Sequence, residues 1–208
     1  MKTLSMTWLW LRARRSAADM FDDRSGVAAT EFAVIVPLML VMFFGLVEFS
    51  SGVAVDRKVT IMARTMSDLV SQSETLDDPT IGNFFLAGNS IMAPYPPAPA
   101  KTTITELYID PATGGARTQW SKGDAPRAAG SPVTVPANLI GKDPVTHAVL
   151  ANQYLIFSEV SYLYTPTIGY VMGKAGITLS DVAYTRPRVS PCVYYPPPPP
   201  GPKHCPTQ

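Results

Sequence analysis

Between Val27 and Val47 every residue is uncharged except Glu31, and the run VAATEFAVIVPLMLVMFFGLV has no polar face. A stretch of this length crosses a hydrocarbon core of about 30 Å at about 1.5 Å per residue. A helix that is apolar all round needs lipid or a large surrounding domain, and the remaining chain is too small and too rich in proline to supply the domain. The pattern predicts a membrane helix. A cleavable signal peptide fits less well, because the apolar core is too long and Glu48 interrupts it before the small residues Gly52 and Ala54. Pro37 lies inside the span, where neighbouring helices can satisfy the carbonyl it frees.

Past the apolar run the period changes. Val55, Val59, Met62, Met66 and Leu69 recur at steps of four and three, with Asp56, Arg57, Lys58, Arg64 and Asp68 off that stripe. One long helix from about Ser25 to about Ser71 is expected, its second half laid against a soluble partner, most simply the downstream chain. ETLDDP ends it, and Asp78 is the expected N-cap of a short helix with Pro79 in first position. Ile81, Phe84, Phe85, Gly88 and Ile91 fall on one side of that helix, and PYPPAPA follows as a linker.

Strand patterns then take over. TTITELYID (residues 102–110), the turn PATGGA and ARTQWSK read as a hairpin. A short edge strand is expected near Val133 to Val135, between prolines. QYLIFSEVSYLY (153–164) places Tyr154, Ile156, Ser158, Val160, Tyr162 and Tyr164 on one face and Leu155, Phe157, Glu159, Ser161 and Leu163 on the other. Its first half is apolar on both faces, which marks an interior strand. Ile177 to Arg186 supplies the last strand. The predicted fold class is α+β: a long N-terminal transmembrane and amphipathic helix packed on a small antiparallel sheet, with a Pro-rich tail. The tail, PCVYYPPPPPGPKHCPTQ, is expected to form neither core nor sheet and to act as a polyproline spacer.

Charge changes the picture only locally. The net charge of +1 gives no case for a nucleic-acid partner. Lys2, Arg12, Arg14, Arg15 and Arg24 precede the apolar run, against Arg57, Lys58 and Arg64 after it, a bias that places the N-terminus in the cytoplasm. Cys192 and Cys205 then lie outside the inner membrane, where a disulfide between them is favoured over two free thiols. Two cysteines without a CxxC pair or a histidine cluster argue against a zinc site. His147 and His204 have no nucleophile context, and phosphate-loop, dinucleotide and HExxH patterns are missing. Glu106, Asp110 and Glu159 read as solvated carboxylates on strand faces, and Glu48 as a solvated interfacial acid. The chain is read as a non-enzyme, with no cofactor, metal or small-molecule substrate.

Glu31 requires a reason, because a carboxylate at the centre of a membrane helix costs about 2.5–3.5 kcal/mol on insertion scales. The stretch from Arg24 to about Thr65 carries Arg24-Ser25-Gly26, Ala28-Ala29, Glu31-Phe32, Ala33, Pro37, and Gly45 followed by Glu48. In these features it resembles the TadE-like segment of the tight adherence (Tad) pilus proteins. WS at Trp120, VPANL at 135–139, EVSYLYTP at 159–166 and TRPR at 185–188 are more loosely similar to the outer domain of such proteins.

The resemblance implies a pseudopilin of the type IVb system, cut by a prepilin peptidase after Gly26 to leave Val27 as the new N-terminus. Glu31, Phe32 and Pro37 would serve assembly. A new amine at Val27 stands one turn from Glu31, about 6 Å along the axis, and can pair with it within a chain or across subunits. Such a pair selects register more than it adds energy, because desolvation offsets much of the attraction. The expected layout is a basic cytoplasmic leader (1–26), a TadE-like transmembrane helix with amphipathic extension (27–72), a periplasmic α+β domain (73–190) and the Pro-rich tail (191–208). The expected function is assembly or initiation of an adhesive Tad/Flp pilus by a minor pilin-like subunit. Its expected partners are the inner membrane, the prepilin peptidase, other Tad pilins and pseudopilins, and inner-membrane assembly proteins. The alternative is an uncleaved, single-pass envelope scaffold or adhesin.

Overall fold

The computed structural model describes residues 25–166, 176–199, 201 and 204–206. The basic leader before Ser25 lies outside the described residues, as do residues 167–175, which join the last two strands. The element order is α1 (Ser25–Ser71), α2 (Asp78–Ile91), β1 (Ala100–Ile109), β2 (Ala116–Gly123), β3 (Pro132–Val133), a 3-10 turn (Ala137–Leu139), β4 (Gln153–Tyr164) and β5 (Ile177–Thr185). The architecture is the expected α+β arrangement. The chain divides into two compact units between Phe49 and Ser50.

In the first unit α1 is helical from Ser25 with Pro37 inside it. Its large apolar side chains point outward almost without exception: Phe32, Val34, Leu38, Met42 and Leu46 are each more than 60 % exposed. It is long and apolar enough to cross a bilayer. Glu48, read from sequence as solvated, is instead buried and makes polar or electrostatic contact, as a desolvated carboxylate must.

The second unit begins with the amphipathic half of α1. Val55, Val59, Met62, Ala63, Met66 and Val70 are fully buried against one face of the sheet, each large side chain contributing about 1.5–3 kcal/mol of transfer free energy. Val70 takes the place expected for Leu69, which is only half-buried. A 3.6-residue repeat drifts along a straight stripe, and the residue one further on faces the sheet. α2 starts one residue earlier than the sequence pattern suggested. Asp77, not Asp78, caps it, its carboxylate accepting from Thr80 N–H at 2.9 Å. Asp78 is thereby freed to meet Lys122 Nζ at 3.1 Å and Tyr195 OH at 2.6 Å. Lys58 Nζ donates to the carbonyls of Ile91 and Ala93 (2.9 and 2.6 Å), tying α1 to the C-terminal end of α2.

Among the described residues five strands form one antiparallel sheet in the order β3-β2-β1-β4-β5. β4 is interior, paired with β1 along its first ten residues and with β5 along its last nine. A bulge between Glu106 and Leu107 sets Trp120 opposite Glu106 and Thr118 opposite Leu107. It skips Gln119, so Trp120 joins the helix-side core while Ala116 joins the core on the opposite face. Gly123 ends β2 with φ +136°, and a Cβ there would lie 2.1 Å from the Thr102 carbonyl oxygen, so only glycine fits.

The helix-side core unites the α1 residues with Ile104, Trp120, Ile156, Val160, Tyr162, Tyr164 and Ala183. On the other face Leu107, Ile109, Ala116, Leu155 and Phe157 are covered by the irregular segment between β2 and β4, through Val133, Val135, Leu139, Ile140 and Val149. The sequence reading of the tail as a detached spacer is corrected for its first residues. Cys192 and Val193 are fully buried, and Tyr194 forms a parallel bridge with Thr75. Tyr194 N–H donates to the Glu74 carbonyl (3.0 Å), and Leu76 N–H donates to the Tyr194 carbonyl (2.9 Å). The segment between the two helices offers an open backbone edge, and pairing satisfies polar groups that burial would otherwise strand.

Candidate functional site

The residues singled out in the N-terminal segment lie on the first turns of α1. Gly26 and Val27 occupy its first turn, and Val27 is 54 % exposed. Glu31 follows four residues later on the same face, also exposed, about 6 Å along the axis. The Thr30 hydroxyl between them donates to the Val27 carbonyl at 2.8 Å. A Cβ placed on Gly26 would meet nothing within 4 Å, and the same holds for Gly45. Phe32 projects outward at 69 % exposure, and Pro37 sits exposed inside the helix. Phe43 and Phe44 meet edge to face with ring centroids 5.5 Å apart. This is a surface of packing groups around a single acid, able to bind lipid or other helices.

In the second unit the structure separates the three acids considered together in sequence. Glu159 makes a two-pronged ion pair with Arg127, at 3.0 Å to Nε and 2.7 Å to Nη2. Asp110 accepts from Ala112 N–H and the Thr113 hydroxyl in the β1–β2 turn, and these bonds hold its carboxyl below the usual carboxylate range. Glu106, expected to be solvated, is 1 % exposed on the helix side of the sheet. One of its oxygens accepts from Val193 N–H at 2.6 Å, and Trp120 Nε1–H donates to the Val193 carbonyl at 2.8 Å. The other oxygen, Oε2, has no partner among the described residues, nor has Ser158 Oγ on the neighbouring strand. Burial pushes the Glu106 carboxyl up to about 8 against the weaker opposing pull of the Val193 bond. The acid is therefore mostly protonated at neutral pH and serves to dock the C-terminal segment.

Cys192 and Cys205 form a disulfide, Cα–Cα 5.8 Å. It sits beside Tyr108 and Tyr154 with Tyr194 packed alongside, and Tyr154 OH donates to the Pro206 carbonyl at 2.8 Å. Sequence reasoning missed the grouping of Glu106, Trp120 and Val193. The available signal was Glu106 itself, an acid on the same strand face as Ile104. Among the described residues no group of three or more His, Cys, Asp or Glu side chains is placed to hold a metal ion.

No curated protein and no solved structure matches the chain. Residues 26–66, from Gly26 through the apolar span into the buried stripe of α1, match the family model described as TadE-like protein. The match spans about a fifth of the chain and is a likeness of that segment alone.

Proposed function

We propose that the chain is a membrane-anchored pseudopilin-like subunit that helps assemble or initiate a Tad-type adhesive pilus. In this reading a prepilin peptidase cuts after Gly26, the mature chain begins at Val27, and the leader stays cytoplasmic. The periplasmic unit then follows a single inner-membrane helix. The observation that carries the reading is the TadE-like match that begins at Gly26 and covers the whole apolar span.

Two features of α1 support it. Among the described residues no neighbouring atom requires Gly26 to lack a side chain. A peptidase subsite that admits only glycine would be a reason to keep it. Glu31 is exposed on the face that carries Val27, where a newly made amine, of its own subunit or a neighbour, could neutralise it. Partners under this proposal are the prepilin peptidase, other Tad pilins and pseudopilins, and inner-membrane assembly proteins.

N-terminal sequencing after co-expression with a matching prepilin peptidase tests the processing. A start at Val27 that disappears in Gly26→Ala is expected. An intact Met1 would refute cleavage and favour an uncleaved envelope scaffold. Glu31→Ala should leave membrane insertion unchanged and reduce surface pili, and wild-type piliation would remove the role assigned to Glu31.

A further inference from the structure

The strand ends of the second unit differ in what they expose. Ser67 Oγ lies 2.9 Å from Thr185 Oγ1 at the finish of β5, whereas a Cβ on Gly52 would lie 3.7 Å from Tyr164 Cε1, and Tyr164 pairs with Ile177 at the start of β5. α1 and β5 therefore run side by side in the same direction. The finish of β4 and the start of β5 lie beside the first residues of α1 in this unit. At that end Leu163 and Ile177 are each 48 % exposed and Val53 is 38 % exposed. Leu163 reaches the start of β5, its Cδ1 lying 2.9 Å from where a Cβ on Gly176 would be. Single exposed apolar residues are ordinary, but these three come from two strands and a helix and gather at one end.

We propose that this end of the sheet rests in the headgroup layer of the bilayer, with Leu163, Ile177 and Val53 as its contact residues. The inference rests on the membrane-anchor reading of α1. Gly52 follows Val47, the last residue of the apolar run, by five residues, about 7.5 Å of helix. The interfacial region on each side of the hydrocarbon is about 5–8 Å deep. Chain connectivity alone thus brings Gly52, and with it Tyr164 and the start of β5, to the interface. The partner is the lipid interface itself, recognised by apolar side chains with no need for anionic headgroups.

The test uses the full chain in phosphatidylcholine vesicles containing spin-labelled lipids. A single environment-sensitive fluorophore is attached at Leu163→Cys or Ile177→Cys, the native cysteines being joined to each other. Val182→Cys is the matched control, on the same strand as Ile177 and 49 % exposed but about 17 Å further along it. Phe44→Cys reports the anchor. Quenching by shallow spin labels several-fold stronger at 163 and 177 than at 182 is expected. If 44 is quenched while 163 and 177 are as weak as 182, the inference fails and the anchor reading stands. If 44 is also unquenched, the anchor reading itself fails. A blue-shifted signal at 163 without lipid quenching would mean a protein contact and would overturn the proposal.

Discussion

Glu106 shows how much one side chain can hide from a sequence reading. Its strand neighbours include threonines, Ile104 and Leu107, and sharing a face with Ile104 is the one local sign that it is not turned to solvent. What buries it is Val193, 87 positions further along the chain. Because its carboxyl is raised from 4.5 to about 8, folding favours the protonated form. Its contribution to stability is complete below about pH 4.5 and is lost as pH rises towards 8, each unit of displacement being worth about 1.4 kcal/mol. Glu106→Gln keeps an acceptor for Val193 N–H and cannot ionise. Its melting temperature should match the wild type near pH 4, exceed it increasingly from pH 5 to 8, and keep a constant lead above that. A parallel pH dependence in the two proteins would show that the acid is not desolvated as described.

At the scale of elements, the contact between α1 and α2 depends on one glycine. A Cβ on Gly88 would lie 2.7 Å from Met66 Sδ and 3.2 Å from Met62 Cε, whereas one on Gly82, on the same helix, would meet nothing within 4 Å. Gly88→Val should destabilise the unit by about 1–3 kcal/mol through overpacking. Gly82→Ala should be neutral or stabilise by up to about 1 kcal/mol. Chemical denaturation of both variants checks the contrast, and equal effects would mean that the two helices do not meet at Gly88. The extents of the long helix, the hairpin and the interior strand were legible in the sequence, because periods of 3.6 and 2 are local properties. The N-cap was misplaced by one residue because Asp77 and Asp78 are chemically equivalent there. Only the position of Lys122 and Tyr195 beside Asp78 distinguishes them.

For the molecule as a whole, the tail changes most between sequence and structure. Its backbone completes a bridge with the segment after α1, Val193 fills the helix-side core, and the disulfide closes a loop of 13 residues' separation. Closing a loop of this size is worth about 3 kcal/mol in the chain-entropy account. Cys205→Ser, or reduction of the wild type, should lower stability by about 2–4 kcal/mol and make the residues after Val193 accessible to protease. A chain that stays equally stable and protease-resistant when reduced would show that the docked segment holds without its covalent tie.

The sequence by itself determined the apolar span, the two faces of the helix that follows it, and the strands. It also carried the Gly26 to Glu31 motif on which the proposed processing rests. The span, the helix faces and the strands are patterns within a few residues, set by backbone periodicity and side-chain polarity, whereas Gly26 and Glu31 gain their meaning from the resemblance to TadE-like segments. Only the tertiary structure decided which acid is buried, where the tail ends as a spacer and begins as core, and which irregular segment covers the second face of the sheet. Those outcomes join Glu106 to Val193, Trp120 to Val193 and Thr75 to Tyr194. Burial at any of these positions depends on residues distant in the chain, and no local period encodes such a contact.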